Sequence, residues 1–203
     1  MNAFEENLIR KLGAENFKKV QKARVGIAGA GGLGSNCAAC LVRTGFRNFT
    51  IADFDRVDAT NLDRQFYFAD QIGMEKTEAL KVNLLRINPA LELKMVQVKL
   101  EPANISETFR DCDIVAECLD RADAKSMLVA ELLSAGKFTV SVSGLGGIGA
   151  SDEIKTQRAK KNLILIGDLR SDIEKAPALS PRVSVAAAKQ ADAILAFVTG
   201  KLS

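Results

Sequence analysis

The stretch VGIAGAGGLGSN, residues 25–36, decides the fold. An apolar run of strand type ends in Gly29, Gly31, Gly32 and Gly34, and a helical run, SNCAACLVRTG, starts at once. A strand that turns through glycines into a helix lets backbone approach an anion closely. The helix N-terminus adds unpaired N–H groups and the positive end of the dipole. A phosphate-bearing ligand is therefore expected at this turn. Asp53 closes the next strand-like run, NFTIADFD, about twenty residues further on, where an acid commonly accepts ribose hydroxyls. The glycines alone fit NAD, FAD, ATP or S-adenosylmethionine.

Outward from this turn, strand and helix alternate. RVGIAG, NFTIADFD, LELKMVQVKL, CDIVAECLD, FTVSVSG and NLILIG have strand character. GLGSNCAACLVRTG, MEKTEALKVNLLRIN, ADAKSMLVAELLSAG and SVAAAKQADAILAFVTG have helical spacing, three of them closed by a glycine and one ending before Pro89. This predicts an α/β fold: a single domain with a doubly wound, Rossmann-like, mostly parallel sheet and helices on both faces. The chain divides into an N-terminal helical segment (1–23), a nucleotide-binding core (24–143), a flexible or partner-facing segment (144–180) and a C-terminal helix (181–200).

Composition narrows the function. The 203 residues are 47% hydrophobic and 26% charged, enough for one substantial core. A net charge of +3, with dispersed Lys and Arg, does not call for nucleic acid. No apolar run approaches the ~20 residues of a membrane span, and MNAFEENLIRK lacks the pattern of a signal peptide, so a cytoplasmic protein is expected. There is no histidine, which excludes His-based metal sites and Ser-His or Cys-His catalysis. Cys37 and Cys40 have Cys-x-x-Cys spacing but lie within an apolar helical run, which favours a packing role over zinc or thiol exchange.

The segment after the second strand separates the nucleotides. In DFDRVDATNLDRQFYFADQIGMEKTEAL, residues 53–80, Asn61, Arg64 and Lys76 follow in close succession. A guanidinium fork and an ammonium point charge suit a site where negative charge moves between phosphates, and a dinucleotide dehydrogenase needs little of either. Taken singly, Arg64 or Lys76 is more often a solvated or salt-bridged surface residue.

GAGGLGS, DFDRVDATNLDRQ, IGMEKTEAL and CLDRADAK, in that order and spacing, resemble the adenylation domain of the ThiF/MoeB and ubiquitin-activating-enzyme superfamily. The resemblance runs from about residue 8 to residue 145, with a weaker echo in ALSPRVSVAAAKQADAIL, and looks most like the short ThiF type. It implies ATP and Mg2+, and adenylation of the C-terminal Gly-Gly carboxylate of a ThiS-like, ubiquitin-like sulfur carrier in thiamine biosynthesis. By position, Gly32 and its neighbours Gly29, Gly31 and Gly34 would hold phosphate. Asp53 would hold the ribose, Asn61, Arg64 and Lys76 the triphosphate, and Asp120 the magnesium. Arg64, Lys76 and Asp120 would carry the catalysis. A homodimer is also implied.

Three departures qualify this. No cysteine follows Cys118, so the two Cys-x-x-Cys pairs that hold zinc in many members are missing and no zinc is expected. Residues 144–180 offer no cysteine for a covalent intermediate, which leaves sulfur delivery to a separate donor protein. FEENLIRKLG lacks the Arg-x-x-Arg-Gln motif by which members supply an arginine to the opposite subunit, although Arg10 stands nearby. A second glycine cluster, GLGGIG at 144–149, fits either a loop beside the partner's tail or a flexible turn. The competing functions are an NAD(P)-dependent oxidoreductase, a non-catalytic nucleotide-binding scaffold, and activation of a tRNA-borne carboxylate.

Overall fold

The computed structural model describes residues 3–172 and 175–202. Its centre is a seven-stranded sheet of order β3-β2-β1-β4-β5-β7-β6. The strands are β1 (Arg24–Ala28), β2 (Asn48–Asp53), β3 (Glu92–Gln97), β4 (Ile114–Glu117), β5 (Phe138–Val142), β6 (Lys155–Lys160) and β7 (Leu163–Gly167). All neighbouring pairs are parallel except β6 with β7, which is antiparallel. The chain builds β1, β2 and β3 in one direction and then returns to lay β4 on the other side of β1. That reversal opens a crevice at the carboxyl ends of β1 and β4, the usual ligand position in a doubly wound sheet.

Strands covered on both faces are apolar throughout, and the three central ones obey this. Val25, Ile27, Ile114, Val115, Val140 and Val142 are essentially inaccessible. One face is covered by α3 (Gly32–Arg43), α4 (Lys76–Leu85) and α7 (Ser180–Thr199), the other by α5 (Pro102–Thr108) and α6 (Ala122–Ser134). Leu128 and Leu132, one helical turn apart, seat α6. In α7 the buried positions Val183, Ala186, Ala187, Gln190, Ala191 and Ile194 form one stripe. Pro181 opens that helix and Gly200, at φ 73°, closes it. The small residues of α3 and α7 meet one another, so within the chain they are core.

The N-terminal segment is helical, as α1 (Ala3–Leu12) and α2 (Ala14–Lys22). Both pack near Gly45, beyond the C-terminal end of α3: a Cβ at Gly45 would come within 3.2 Å of Leu8 and of Phe17. No described helix is long and apolar enough to cross a membrane.

The described residues of 144–180, expected to be flexible or partner-facing, hold more regular structure than the sequence shows. NLILIG is β7 as expected, but KTQRAK, exposed along its whole length, adds β6 as an antiparallel edge. Its alternation was invisible because it has no buried face; the strand exists through ladder hydrogen bonds to β7. The second glycine cluster is held firmly rather than free, as shown below.

Gln190 is a buried polar tie at the centre of the fold. Its Nε2 donates to Glu117 O and Val140 O, each at 3.0 Å, joining α7 to two adjacent strands. Replacing it by leucine strands two buried carbonyls. Gln190→Leu is expected to cost ~1–3 kcal/mol of stability, read from the midpoint of urea unfolding.

Candidate functional site

The loop after β1 carries Gly29, Gly31, Gly32 and Gly34 onto α3, and two contacts explain its shape. A Cβ at Gly34 would lie 1.8 Å from Gly29 O, so the first turn of α3 sits directly on the loop backbone. Gly29, at φ 96°, adopts a conformation that other residues rarely accept, and a Cβ there would lie 2.9 Å from the carbonyl oxygen of Cys118, just past the end of β4. By contrast, the space over Gly31 is open, the nearest atom to a Cβ there being Gln65 Nε2 at 3.9 Å. Gly31 is also the N-cap of α3 and supplies no side-chain cap. The first-turn N–H groups of α3 therefore lack a cap and face an open ledge, the arrangement that suits a phosphate.

Asp53 is more deeply engaged than a ribose acceptor alone would be. It is buried, with Oδ2 accepting the Ala30 N–H at 2.6 Å and Oδ1 accepting the Asp55 N–H at 2.7 Å. Its first task is to fix the glycine loop to the end of β2; each oxygen keeps a further lone pair.

Lys76 begins α4 with its stem buried and its Nζ 2.8 Å from Asp55 Oδ2. Asp55 is half exposed, so a side-chain anion occupies the place beside Lys76 that a ligand anion would take. Arg64 lies along the start of α3, its Cγ 3.5 Å from where a Gly32 Cβ would be. Its Nη1 donates to Asp63 Oδ1 at 2.6 Å and to Thr60 O at 3.0 Å. Asn61 uses Oδ1 to accept the Asp58 N–H at 3.0 Å, closing a one-turn 3-10 helix with Asp58 as cap. Asp120 is exposed, two residues past the Cys118 backbone that touches Gly29. The structure thus gathers Gly29–Gly34, Asp53, Asn61, Arg64, Lys76 and Asp120 at the carboxyl edge of β2, β1 and β4. Arg10, exposed on α1, is at the other end of α3, a helix of 12 residues or ~18 Å.

Several residues that build this site had no readable signal. Tyr67 is buried, and its hydroxyl donates to Ala30 O at 2.6 Å and lies 3.3 Å from Lys76 O, tying the glycine loop to α4. Burial, followed by the charges of Asp53 and Asp55, pushes its phenol far up, so it stays a donor. Gln71 and Asn83 exchange hydrogen bonds through their amides at 2.9 Å both ways, and Asn83 also donates to Phe66 O, clamping the Arg64–Tyr67 segment to α4. Glu117, fully buried, accepts from Ser141 Oγ at 2.6 Å, Leu119 N at 2.7 Å and Lys125 Nζ at 3.0 Å. Lys125 also donates to Leu119 O at 2.6 Å, so the N–H and the C=O of Leu119, next to Asp120, are both fixed. An acid inside the apolar run IVAECL was the one visible hint.

The ledge is open surface, not an enclosed cavity. A groove of about 340 Å³, lined by Arg24, Thr50, Glu92, Lys94 and Asp111 among others, lies at the opposite, amino end of the strands and has no part in this cluster. Among the described residues no group of three or more Cys, Asp or Glu side chains is placed to hold a metal, and all four cysteines are free. Cys37 is inside the core and Cys40 on the same helix is half buried.

The chain matches the ThiF family over residues 4–202. It belongs to that family. It is 38% identical over 132 residues to the adenylyltransferase and sulfurtransferase UBA4 of Candida glabrata, covering 64% of this chain and 30% of that protein. It is 30% identical over 122 residues to the molybdopterin-synthase adenylyltransferase of Haemophilus influenzae, covering 60% of this chain and 50% of the relative. The ThiF-family chain thus spans half or less of the length of these relatives. Among solved structures, the tRNA N6-threonylcarbamoyladenosine dehydratase TcdA of E. coli, in complex with AMP, shares the fold. The TM-score is 0.87 at 20% identity, with 97% of this chain and 94% of that one covered.

Two outcomes follow. Gly34→Ala is expected to unfold or strongly destabilise the protein, with a loss of more than ~3 kcal/mol, whereas Gly31→Ala keeps wild-type stability and weakens phosphate-ligand binding; thermal melting and direct titration separate them. Burial pushes the thiols of Cys37, Cys112 and Cys118 up from the ordinary range, and that of the half-buried Cys40 as well. A raised pKa keeps each as the unreactive thiol at neutral pH and moves reaction to higher pH. A thiol reagent at neutral pH should therefore modify Cys40 first and slowly, and all four only after unfolding.

Proposed function

We propose that this ThiF-family chain is an ATP-dependent adenylyltransferase that activates a carboxylate at the C-terminus of a small ubiquitin-like sulfur carrier. What supports the reading is an uncapped helix N-terminus with Arg64 packed against its first turn, and Lys76 and Asp120 just beyond the carboxyl ends of β2 and β4, the strands that flank β1. The relatives are named adenylyltransferases, and TcdA holds AMP on the same fold.

The residues fit ATP. The ledge over Gly31 admits phosphate oxygens to the α3 N–H groups, and a ribose hydroxyl can use the remaining lone pairs of Asp53. Lys76 exchanges Asp55 for phosphate, a swap of one anion for another that leaves its buried stem in place. Arg64 and the Nδ2 of Asn61 serve the outer phosphates. Asp120 offers one carboxylate to Mg2+, an ion that commonly takes one or two protein carboxylates and completes its shell with phosphate oxygens and water. Bound magnesium supplies charge neutralisation on the phosphates.

In the reaction a carboxylate oxygen of the carrier forms a bond to the α-phosphorus. The bond from that phosphorus to the oxygen bridging to the β-phosphate breaks, and its electron pair leaves with pyrophosphate. No proton moves, since the carboxylate is already ionised at neutral pH, so the lack of histidine is no obstacle. The barrier is the approach of two anions, and Lys76, Arg64 and the helix N-terminus act by holding positive charge where it is needed. A sulfur nucleophile on a separate donor protein then forms a bond to the carrier's carbonyl carbon, and the bond from that carbon to the phosphate oxygen breaks with AMP as the leaving group; this chain presents no low-pKa thiol at the ledge to do so itself.

A ThiS-like carrier ending in Gly-Gly, and a place in thiamine biosynthesis, are the finer reading. A homodimer in which Arg10 reaches the opposite subunit's ledge is consistent with its distance from its own. Activation of a tRNA-borne carboxylate stands second: TcdA offers fold likeness, but the Lys and Arg residues here are dispersed and the net charge is only +3.

The test is ATP–pyrophosphate exchange with Mg2+, with and without a ThiS-like carrier. Carrier-dependent exchange is expected, with Arg64→Ala and Asp120→Ala each lowering kcat/KM by ~10²–10³. Exchange driven instead by a tRNA-borne carboxylate would move the substrate to the second reading, and NADH binding without ATP binding would overturn adenylation altogether.

A further inference from the structure

Arg182, in the first turn of α7, is 5% exposed and reaches four acceptors on two other segments. Its Nε donates to Leu145 O at 3.2 Å and its Nη1 to Gly149 O at 2.7 Å and Ala150 O at 3.0 Å. Its Nη2 donates to Asp168 Oδ2 at 2.6 Å. The other Asp168 oxygen accepts the N–H groups of Arg170 and Ser171 at 2.9 and 2.8 Å. Burial works against this carboxylate, but the amides of Ser171 and Arg170 and the Arg182 charge outweigh it and hold the carboxyl below its ordinary range.

The second glycine cluster is thereby a fixed shelf. A Cβ at Gly144 would lie 2.1 Å from Asp168 Oδ1, and one at Gly167 would lie 1.6 Å from Ser143 O, so the two segments meet backbone to backbone. Gly147 pairs with Ala178, its N–H donating to Pro177 O at 3.0 Å. Ala150 (φ 48°) and Leu169 (φ 57°) are the non-glycine residues with left-handed backbone among those described, and both flank this clamp. Such strain persists where surrounding bonds over-determine the backbone, and it concentrates at functional sites. The shelf follows β5, the strand next to β4, so it stands at the same sheet edge as Asp120 and just beyond it from the glycine loop. At its tip Ile148 is 84% exposed.

We propose that Arg182 is a positioning residue that fixes the 144–150 shelf as the wall along which the acceptor's extended C-terminal tail reaches the ledge. This rests on the adenylation reading. A guanidinium suits the task because its fork satisfies three carbonyls and a carboxylate at once in one plane, which an ammonium on a flexible stem does not.

The experiment compares wild type, Arg182→Lys and Ile148→Asp in carrier-dependent exchange, with ATP affinity measured separately. Hydrogen exchange is followed at the amides of 145–150. Arg182→Lys keeps a cation near Asp168 but loses the fork. It is expected to speed exchange of the shelf amides and raise KM for the carrier about tenfold or more, with ATP Kd held within about twofold. Ile148→Asp, on an exposed side chain that carries no fold risk, is expected to raise the carrier KM with ATP Kd unmoved. An unchanged carrier KM in Ile148→Asp overturns the proposal, as does a rise in ATP Kd in step with carrier KM in Arg182→Lys. Absence of carrier-dependent exchange by wild type would instead overturn the adenylation reading, and the tail's wall with it.

Discussion

The 2.6 Å hydrogen bond from Ala30 N–H to the Asp53 carboxylate is the constraint on which the ledge depends. It joins the end of β2 to the loop leaving β1, and a charge-assisted bond of this kind in a buried setting contributes ~1.5–3 kcal/mol. With that loop fixed, Gly34 can lie against Gly29 and α3 starts where its N–H groups face outward. Tyr67 then carries the same loop across to α4 and Lys76. The acid that reads in sequence as a ribose acceptor is first a structural bracket.

Around this bracket several buried polar groups sit at junctions between elements. Glu117 and Lys125 fix the peptide beside Asp120; Gln71 and Asn83 clamp the Arg64 segment; Arg182 and Asp168 lock the second glycine cluster. Each would be costly with one partner removed, because the other would remain buried and uncompensated, by ~3–5 kcal/mol for an ion pair. None is redundant with hydrophobic packing, which is non-directional and cannot set the orientation of a loop. The consequence is a site that is open to solvent yet rigid at its supports. The buried stem of Lys76 and its pairing with Asp55 hold the ammonium at the strand ends.

The cysteines illustrate how position decides chemistry. Cys37 and Cys40 have the spacing of a metal or redox pair, but the α3 helix turns Cys37 into the core against α7, and desolvation keeps the thiols protonated. Small size at a close helix–helix contact accounts for their presence.

The sequence by itself determined the parallel sheet and most of its helices, since apolar runs and helical periodicity record burial directly. It also determined the glycine turn, because Gly34 and Gly29 answer a local steric demand, and it marked Asp53, Asn61, Arg64 and Lys76 as candidates through their spacing and Asp120 through the family resemblance. Tertiary structure alone decided what those residues touch. Asp53 engages Ala30, Lys76 engages Asp55, and Arg64 engages Thr60 and Asp63, pairings that depend on which strand ends lie side by side. It alone revealed β6, a strand with no buried face, and the bonds from Arg182 that hold a glycine cluster which the sequence left open between a loop beside a partner's tail and a flexible turn. Periodicity reports which way a side chain faces within its own element. A hydrogen bond between elements depends on three-dimensional proximity, and no local pattern encodes that.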